Sequence, residues 1–415
     1  MPQILDERLP PERLLECPGF LKLATGRLIG TIAMQIQAVV VAWHLYDLTH
    51  DPLALGYVGL VQFLPMAAFT LPAGDLADRF DRRLLLALAW LIQALAAITL
   101  FLLTLTEVNV LWPFYAALML FGVGRAFAGP SMQSLLPLVV PKKLLPQGIA
   151  WNSAAFQVAV IAGPALGGMV YLLGAGFAFG LCAIMFFIGA ISIYLINVQN
   201  KQQINQAAPS ALERLKEGVS YVRHRPIVLG ALSLDLFAVL LGGATALLPI
   251  YAKDILHVGP GGLGALRSAM AIGAFGMGIL LGYLSIKRHA GMVMFVSVAL
   301  FGVATVVFAL STNFVLSLVA LFIIGASDMV SVFVRASLIQ MATPDAMRGR
   351  VSAVNMLFIG ASNELGEFES GTTAAWFGTV PAAIIGGVGT VVVVGLWMWW
   401  FPALRKVDRL SDVTS

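Results

Sequence analysis

Residues 144–200 read LLPQGIAWNSAAFQVAVIAGPALGGMVYLLGAGFAFGLCAIMFFIGAISIYLINVQN, 57 positions without one Asp, Glu, Lys or Arg. A helix needs about 20 mostly apolar residues to cross about 30 Å of hydrocarbon. This stretch is therefore two spans, hinged at Gly174-Ala175-Gly176. Working outward, residues 84–106 are one uncharged span, while 289–327 and 370–404 are again double-length. The breaks in these two fall near Ser311-Thr312-Asn313 and at Gly378–Pro381. Twelve spans follow, near 20–46, 54–76, 84–104, 110–136, 147–173, 177–197, 227–251, 261–286, 292–310, 314–341, 350–377 and 381–401.

Composition agrees with this reading. Of the 415 residues 59% are apolar and 11% charged, against about 25% charged in an ordinary soluble domain. A cytosolic enzyme, a disordered chain and a disulfide scaffold are excluded, and Cys17 and Cys182 are too few for a redox or metal cluster. No segment outside the spans is long enough to build a catalytic site, so the chain reads as a transporter and not an enzyme. The net charge of +4 is no sign of nucleic-acid binding. With both termini cytoplasmic, 20 of the 25 Lys and Arg fall in inside segments and Lys253 alone falls outside. That asymmetry sets the expected orientation. Arg27, Arg125, Arg267 and Arg335 remain within spans.

The longest polar segment, 198–226, includes the amphipathic run Ala211–Glu217. It divides the chain into an N-terminal bundle, 1–197, a cytoplasmic linker, 198–226, and a C-terminal bundle, 227–415. The two bundles repeat one another. A shift of 203 places Gly122 on Gly325, Pro141 on Pro344 and Asn152 on Asn355, and a shift of 208 places Gly56 on Gly264 and Gly74 on Gly282. Two like-oriented six-helix halves are the plan of parallel-repeat transporters. The repeat also sets Arg27 against Asp235 and Arg125 against Asp328, a guanidinium in one half for a carboxylate in the other. A charge at the bilayer centre costs about 2.5–3.5 kcal/mol on insertion scales, so each must face a partner or water. The expectation is that Arg125 and Asp328 project into one water-filled space and act on each other's protonation. The competing reading satisfies Asp328 within its own half, by Arg335 two turns along. Arg27 and Asp235 lie nearer their helix ends, where a long Arg can snorkel.

Asn363-Glu364-Leu365-Gly366-Glu367-Phe368-Glu369 places three carboxylates in the eleventh span. Glu364 and Glu367 share one helical face at i, i+3, and Glu369 points elsewhere. Crowded carboxylates suit a proton carrier, and recognition of a cationic substrate or pairing with Arg267 are the other readings. A metal centre is not expected, because no His or Asp follows at a ligand spacing. His44, beside Trp43, reads as an interfacial residue, and Trp397, Trp399 and Trp400 as an aromatic belt.

Between the second and third spans stands Gly74-Asp75-Leu76-Ala77-Asp78-Arg79-Phe80-Asp81-Arg82-Arg83. It resembles the signature loop of the major facilitator superfamily, G-x-L-a-D-R-x-G-R-R, with Asp81 where that family usually has glycine. In this reading Gly74 permits close helix approach, Asp78 supplies an acidic cap that meets the start of the eleventh span, and Arg79, Arg82 and Arg83 retain the loop inside. Arg125-Ala126-Phe127-Ala128-Gly129 looks like the family's R-x-x-Q-G element. Gly163-Pro164-Ala165-Leu166-Gly167-Gly168 is similar to the end of its antiporter motif, where small residues let helices pack closely. Trp43–Thr49, Leu55–Leu60 and Arg348–Ser352 extend the likeness to the enterobactin-exporter and macrolide-efflux branch. The resemblance implies an all-α fold of two pseudo-symmetric six-helix bundles. It implies proton-coupled export of a siderophore-like or drug-like molecule across the bacterial inner membrane, by a monomer using the proton gradient and no cofactor. Its partners would be a small-molecule substrate, protons and membrane lipid. Import or facilitated passage of a similar solute, and handling of lysolipids, are the alternatives.

Overall fold

The computed structural model describes residues 13–197, 211–284, 286 and 288–409. The described residues form helices and no strands. The N-terminal half holds α1 (Pro18–Thr49), α2 (Pro52–Arg79), α3 (Arg82–Leu105), α4 (Leu111–Val139), α5 (Leu145–Tyr171) and α6 (Ala175–Tyr194). A surface helix, α7 (Ala211–Arg223), follows. The C-terminal half holds α8 (Pro226–Leu241), α9 (Leu248–Ile250), α10 (Gly259–Tyr283), α11 (Ala290–Leu310), α12 (Phe314–Ala342), α13 (Asp345–Phe377), α14 (Thr379–Trp400) and the short α15 (Pro402–Arg405).

Among the described residues, eleven helical stretches are long and apolar enough to cross a membrane. The eleventh span in chain order, α13, is not among them. It is long enough at 33 residues, but Glu364, Glu367 and Glu369 make it too polar to qualify on hydropathy. The lipid-facing side is plain on α3, where Leu88, Leu95 and Leu102 are half exposed while Leu86, Trp90 and Leu100 on the opposite face are buried. Turn chemistry sets the helix starts. Asp51 caps α2 through Leu53 N at 2.9 Å, Asp81 caps α3 through Arg83 N at 2.9 Å, and Asn313 caps α12 through Leu316 N at 3.0 Å. Asp81 has φ −61°, a conformation open to any residue, so this loop turns without the glycine of the family pattern and gains a cap instead.

The repeat reappears in the backbone. Gly174 (φ 102°) and Gly378 (φ 90°) make matching turns before α6 and α14, and His50 (φ 52°) and His257 (φ 53°) end matching spans. The seventh span departs from the expected continuous helix over 227–251. It stops at Leu241, passes through Gly242-Gly243 and resumes as a 3-10 turn (Ala244–Leu247), α9 and a π turn (Tyr251–Ile255). A Cβ at Gly242 would lie 2.5 Å from Phe301 Cε1, so the break falls where only glycine fits beside α11. Trp397 also departs from expectation. It is buried and donates to Ser233 Oγ at 2.9 Å, leaving Trp399 and Trp400 exposed at the helix end.

An even number of spans puts the start of α1, α7 and α15 on one face, here called the terminal face. On the opposite, far face the halves are fused. Val39, Trp43, Tyr46 and Leu55 share one buried apolar cluster with Leu247, Tyr251 and Leu263 of the other half. Tyr46 donates to Asp254, Lys253 pairs with Asp47, and Lys253 Nζ lies 3.2 Å from His50 Nε2. Glycines allow this closeness. A Cβ at Gly371 would lie 2.6 Å from Gly56 Cα, one at Gly168 2.3 Å from Pro260 O, and one at Gly264 2.5 Å from Pro164 O.

The approach loosens toward the terminal face. Along α13, Gly360 would meet only the Met66 methyl, at 2.9 Å, and Gly349 would meet nothing within 4 Å. Gly74, Gly276 and Gly282 likewise face open space. Gly74 therefore does not mediate a close helix approach, because the helix ends diverge where it stands. The halves are closed at the far face and splayed at the terminal face. There α7 lies against α13, where a Cβ at Gly218 would come 2.6 Å from Arg350 O, and reaches α2 through Arg214–Asp75 at 3.1 Å.

If the glycine contacts hold the far face shut, Gly264→Val must separate α5 from α10 there. In a background lacking Cys17 and Cys182, an Ala38→Cys reporter should then react with a membrane-impermeant maleimide from the far face about fivefold faster than without the valine. Equal rates would contradict the closure described.

Candidate functional site

A cavity of about 220 Å³ lies between the halves, lined by α1, α2, α4, α10, α13 and the 3-10 turn after Gly243. Its polar wall is unusual for a membrane interior: Arg125, Arg267, Glu364, Glu367, Gln35, Gln37 and Gln62. Arg125 stands mid-way along α4 and extends into the other half, where its Nη1 donates to Glu364 Oε1 at 2.7 Å. Gln62 Oε1 accepts from the same guanidinium at 3.5 Å, while its own amide donates to Val58 O at 3.1 Å. The Arg125 and Glu364 side chains are 29% and 10% exposed, so water screens this pair only partly and removing one partner costs more than at a surface ion pair.

The approach of α13 to α2 depends on Gly59. A Cβ there would come 2.7 Å from Glu364 O and 2.8 Å from Glu367 Cβ. Glu367 and Arg267 line the same cavity and act on each other electrostatically, but among the described residues Arg267 Nε has no hydrogen-bond partner. Both amide atoms of Gln37, which is 1% exposed, are also unpartnered. The cavity thus holds two guanidinium groups, two carboxylates and at least one amide free to bind.

The structure brings Arg125, Glu364 and Glu367 together. It does not bring Arg125 to Asp328. Asp328 lines two other cavities, both within the C-terminal half, together with Asp235. The physical reason is reach: Arg125 points across α2 to α13, whose glutamates lie nearer than α12. Arg335 satisfies Asp235, not Asp328, in a buried ion pair with side chains 4% and 7% exposed. Arg27 lies outside these cavities with its guanidinium 5.2 Å from the Phe156 ring centroid, so the repeat partners Arg27 and Asp235 each keep to their own half. Glu369 accepts from Thr373 Oγ1 at 2.7 Å and faces away from the cavity. His44 packs among Phe114, Tyr171 and Phe179, with Nδ1 3.4 Å from Tyr171 Oη.

In the signature loop Arg82 donates to Ala77 O at 3.1 Å and to Ser134 O at 3.2 Å, tying α3 to α4. Arg83 binds Ile196 O at 2.7 Å and Asp81 at 3.1 Å, and Arg79 is exposed. The side chain of Asp78 lies outside the described residues. At the start of α13, Arg350 pairs with Glu217 of α7 at 2.6 Å and Arg348 with Asp345 at 2.7 Å. In the helix 5 motif Gly163 and Gly167 pack on α1, with Cβ positions 2.4 Å from Gln35 Cβ and 3.1 Å from Ile36 Cα, while Pro164 and Gly168 face α10.

This fold, with a charged cavity between two repeated halves, has relatives. The family model of the Major Facilitator Superfamily matches residues 23–367. The chain belongs to the Major Facilitator Superfamily. It is 22% identical over 404 residues to macrolide efflux protein A of Streptococcus pyogenes, covering 94% of this chain and 97% of that protein. It is 24% identical over 403 residues to the enterobactin exporter EntS of Citrobacter koseri, covering 95% of each. Among solved structures, a bacterial homologue of the human lysosomal transporter Spinster, inward-facing and occupied, aligns with TM-score 0.73 at 13% identity over 98% of each chain. The nucleoside transporter NupG aligns with TM-score 0.71 at 15% identity over 94% of this chain and 99% of that one. This superfamily member is a multi-pass membrane transporter of small molecules.

Sequence reasoning missed three features: the Arg125–Glu364 pair, the Gln37 amide and the Asp235–Arg335 pair. The repeat arithmetic pairs equivalent positions, whereas the contacts join non-equivalent ones, α4 to α13 and α8 to α12. Gln35 and Gln37, two amides within an otherwise apolar run of α1, were the local signal available.

Arg125→Gln and Glu364→Gln should each lower stability in detergent by about 3 kcal/mol, since each leaves a charge without its partner. The double variant should lose less than the sum, leaving a coupling of about 1–3 kcal/mol. Additive losses in chemical unfolding would mean that the two charges do not meet.

Proposed function

We propose that this chain exports an amphipathic organic molecule of small to medium size, siderophore-like or drug-like, from the bacterial cytoplasm in exchange for protons. The terminal face is then cytoplasmic and the far face periplasmic, an orientation supported by the Lys and Arg bias of the terminal-face segments. The observation that carries the reading is the Arg125–Glu364 ion pair, which joins the two halves across the cavity wall. A proton on Glu364 removes one charge of that pair and weakens the link between halves, so proton arrival and rocking of the halves become one event. Glu367, three residues along, is the second carboxylate on the same face and shares the cavity with Arg267. The relatives named for macrolide and enterobactin efflux support export and the substrate class.

Substrate enters from the splayed terminal face in this account. The present cavity, about 220 Å³, falls short of the roughly 300–1,000 Å³ that drug-sized ligands occupy. A substrate of that size therefore uses the space between the halves as well as the cavity. Arg267 and Gln37 offer it donors, and Met34, Val41 and Phe121 offer apolar surface.

Everted membrane vesicles carrying the chain test the proposal, with labelled erythromycin and a labelled catecholate siderophore as probes. With the vesicle interior acidified, the wild type should accumulate at least one probe. Glu364→Gln should reduce accumulation about tenfold or more while leaving downhill exchange intact. Accumulation by right-side-out vesicles only, or an undiminished proton-driven gradient in Glu364→Gln, would overturn the proposal.

A further inference from the structure

The C-terminal half contains a second set of membrane-embedded charges that the central cavity does not use. Asp235 on α8 and Asp328 on α12 line a pocket of about 10 Å³ together with Ser327 and Ser331. Arg335 pairs with Asp235. The other elements around this pocket and the adjoining cavity of about 150 Å³ contribute no titratable side chain: Val298 and Phe301 come from α11, Met270 from α10, and Ile359, Ser362 and Asn363 from α13. Two carboxylates against one guanidinium leave one negative charge. A lone carboxylate in a membrane interior costs several kcal/mol, and among the described residues Asp328 has no hydrogen-bonded or ion-paired partner.

Two independent features point to what balances it. Ser327 and Ser331 are 3% and 2% exposed, and their hydroxyl oxygens have no hydrogen-bond partner. Both line the pocket with the two carboxylates, so oxygen ligands from α8 and α12 converge on a space of about one water-sized sphere. The pocket also adjoins the interrupted end of α8, with Ala238 and Val239 in its wall. The carbonyl end of a helix carries partial negative charge, and discontinuous helices are where transporters hold small cations.

We propose that Asp235, Asp328, Ser327 and Ser331 form a binding site for one monovalent cation, sodium. The net charge of −1 calls for a single positive charge and not a divalent ion. A proton on Asp328 would neutralise that charge but fill none of the space, whereas a bare sodium ion would engage all four side chains through oxygen. Hard oxygen ligands, two of them carboxylates, bind the smaller and more strongly polarising sodium ion more tightly than potassium. The site is separate from the Arg125–Glu364 cavity, and the proposal does not depend on the direction or substrate of transport. No ligand set was visible in the sequence, because Asp235 lies far along the chain from Ser327–Ser331 and the repeat paired it with Arg27.

The test uses the purified full-length chain in detergent, with radioactive sodium as the probe and choline chloride holding ionic strength constant. Saturable binding near one ion per chain is expected, displaced by lithium and not by potassium. The Ser327→Ala, Ser331→Ala double variant should bind about tenfold or more weakly, Asp328→Asn should not bind, and Glu369→Gln should bind as the wild type does. Thermal unfolding in choline alone shows which variants are folded. If Asp328→Asn is not, the serine variant and the lithium–potassium competition decide. Absence of saturable sodium binding by the folded wild type, or unchanged binding in the serine variant, would overturn the site. Either result stands whether or not export is observed in vesicles.

Discussion

A helix that carries three glutamates through hydrocarbon cannot stand alone. Each ionised carboxylate buried without a partner would cost several kcal/mol, and α13 places Glu364 and Glu367 on the face that meets the other half of the molecule. Arg125, reaching out of α4 at 2.7 Å from Glu364, makes that face tolerable. The ion pair is therefore also a joint: Arg125 of one half and Glu364 of the other satisfy each other's charge. Any change that removes one charge, a proton included, alters the free energy of keeping the halves together.

The rest of the fold concentrates around this joint. Gly59 lets α13 come close enough to bring its glutamates to the cavity, and Gly56 against Gly371 carries the contact on to the far face. Beyond it the mixed apolar cluster, the Tyr46–Asp254 hydrogen bond and the Lys253–Asp47 pair complete the closure. On the terminal face the helices diverge. The protein is thus asymmetric across the membrane, tightly packed at one end, open at the other, with its charges at the boundary between the two regimes. Rocking of like halves about such a boundary is how parallel-repeat transporters alternate access.

Much of this was legible in the residues. Charge-free runs marked the span boundaries to within a few positions, since hydrocarbon thickness sets a length that composition must meet. The repeat was visible in Pro141 and Pro344 and in Asn152 and Asn355, and the signature loop in Gly74–Arg83 identified the superfamily. What could not be read was which charges touch. The repeat sets Arg125 against Asp328 because they occupy equivalent places, yet side-chain reach across a helix interface is not a property of the repeat. The break in α8 was likewise hidden, because Gly242-Gly243 resembles many glycine pairs packed within continuous spans and only the neighbouring Phe301 ring makes the difference. Asp235 and Arg335, 100 residues apart, form their buried pair inside one half, where no linear pattern announces it.

If the Arg125–Glu364 pair holds the halves together, the most direct measurement is the separation of the far-face ends with the pair intact and broken. Spin labels at Asn109→Cys and Thr312→Cys, one in each half and in matching loops, report that distance by pulsed electron paramagnetic resonance. The account predicts one short distance in the otherwise native chain and the addition of a clearly longer one when Glu364→Gln is introduced. Identical distance distributions in the two proteins would contradict it.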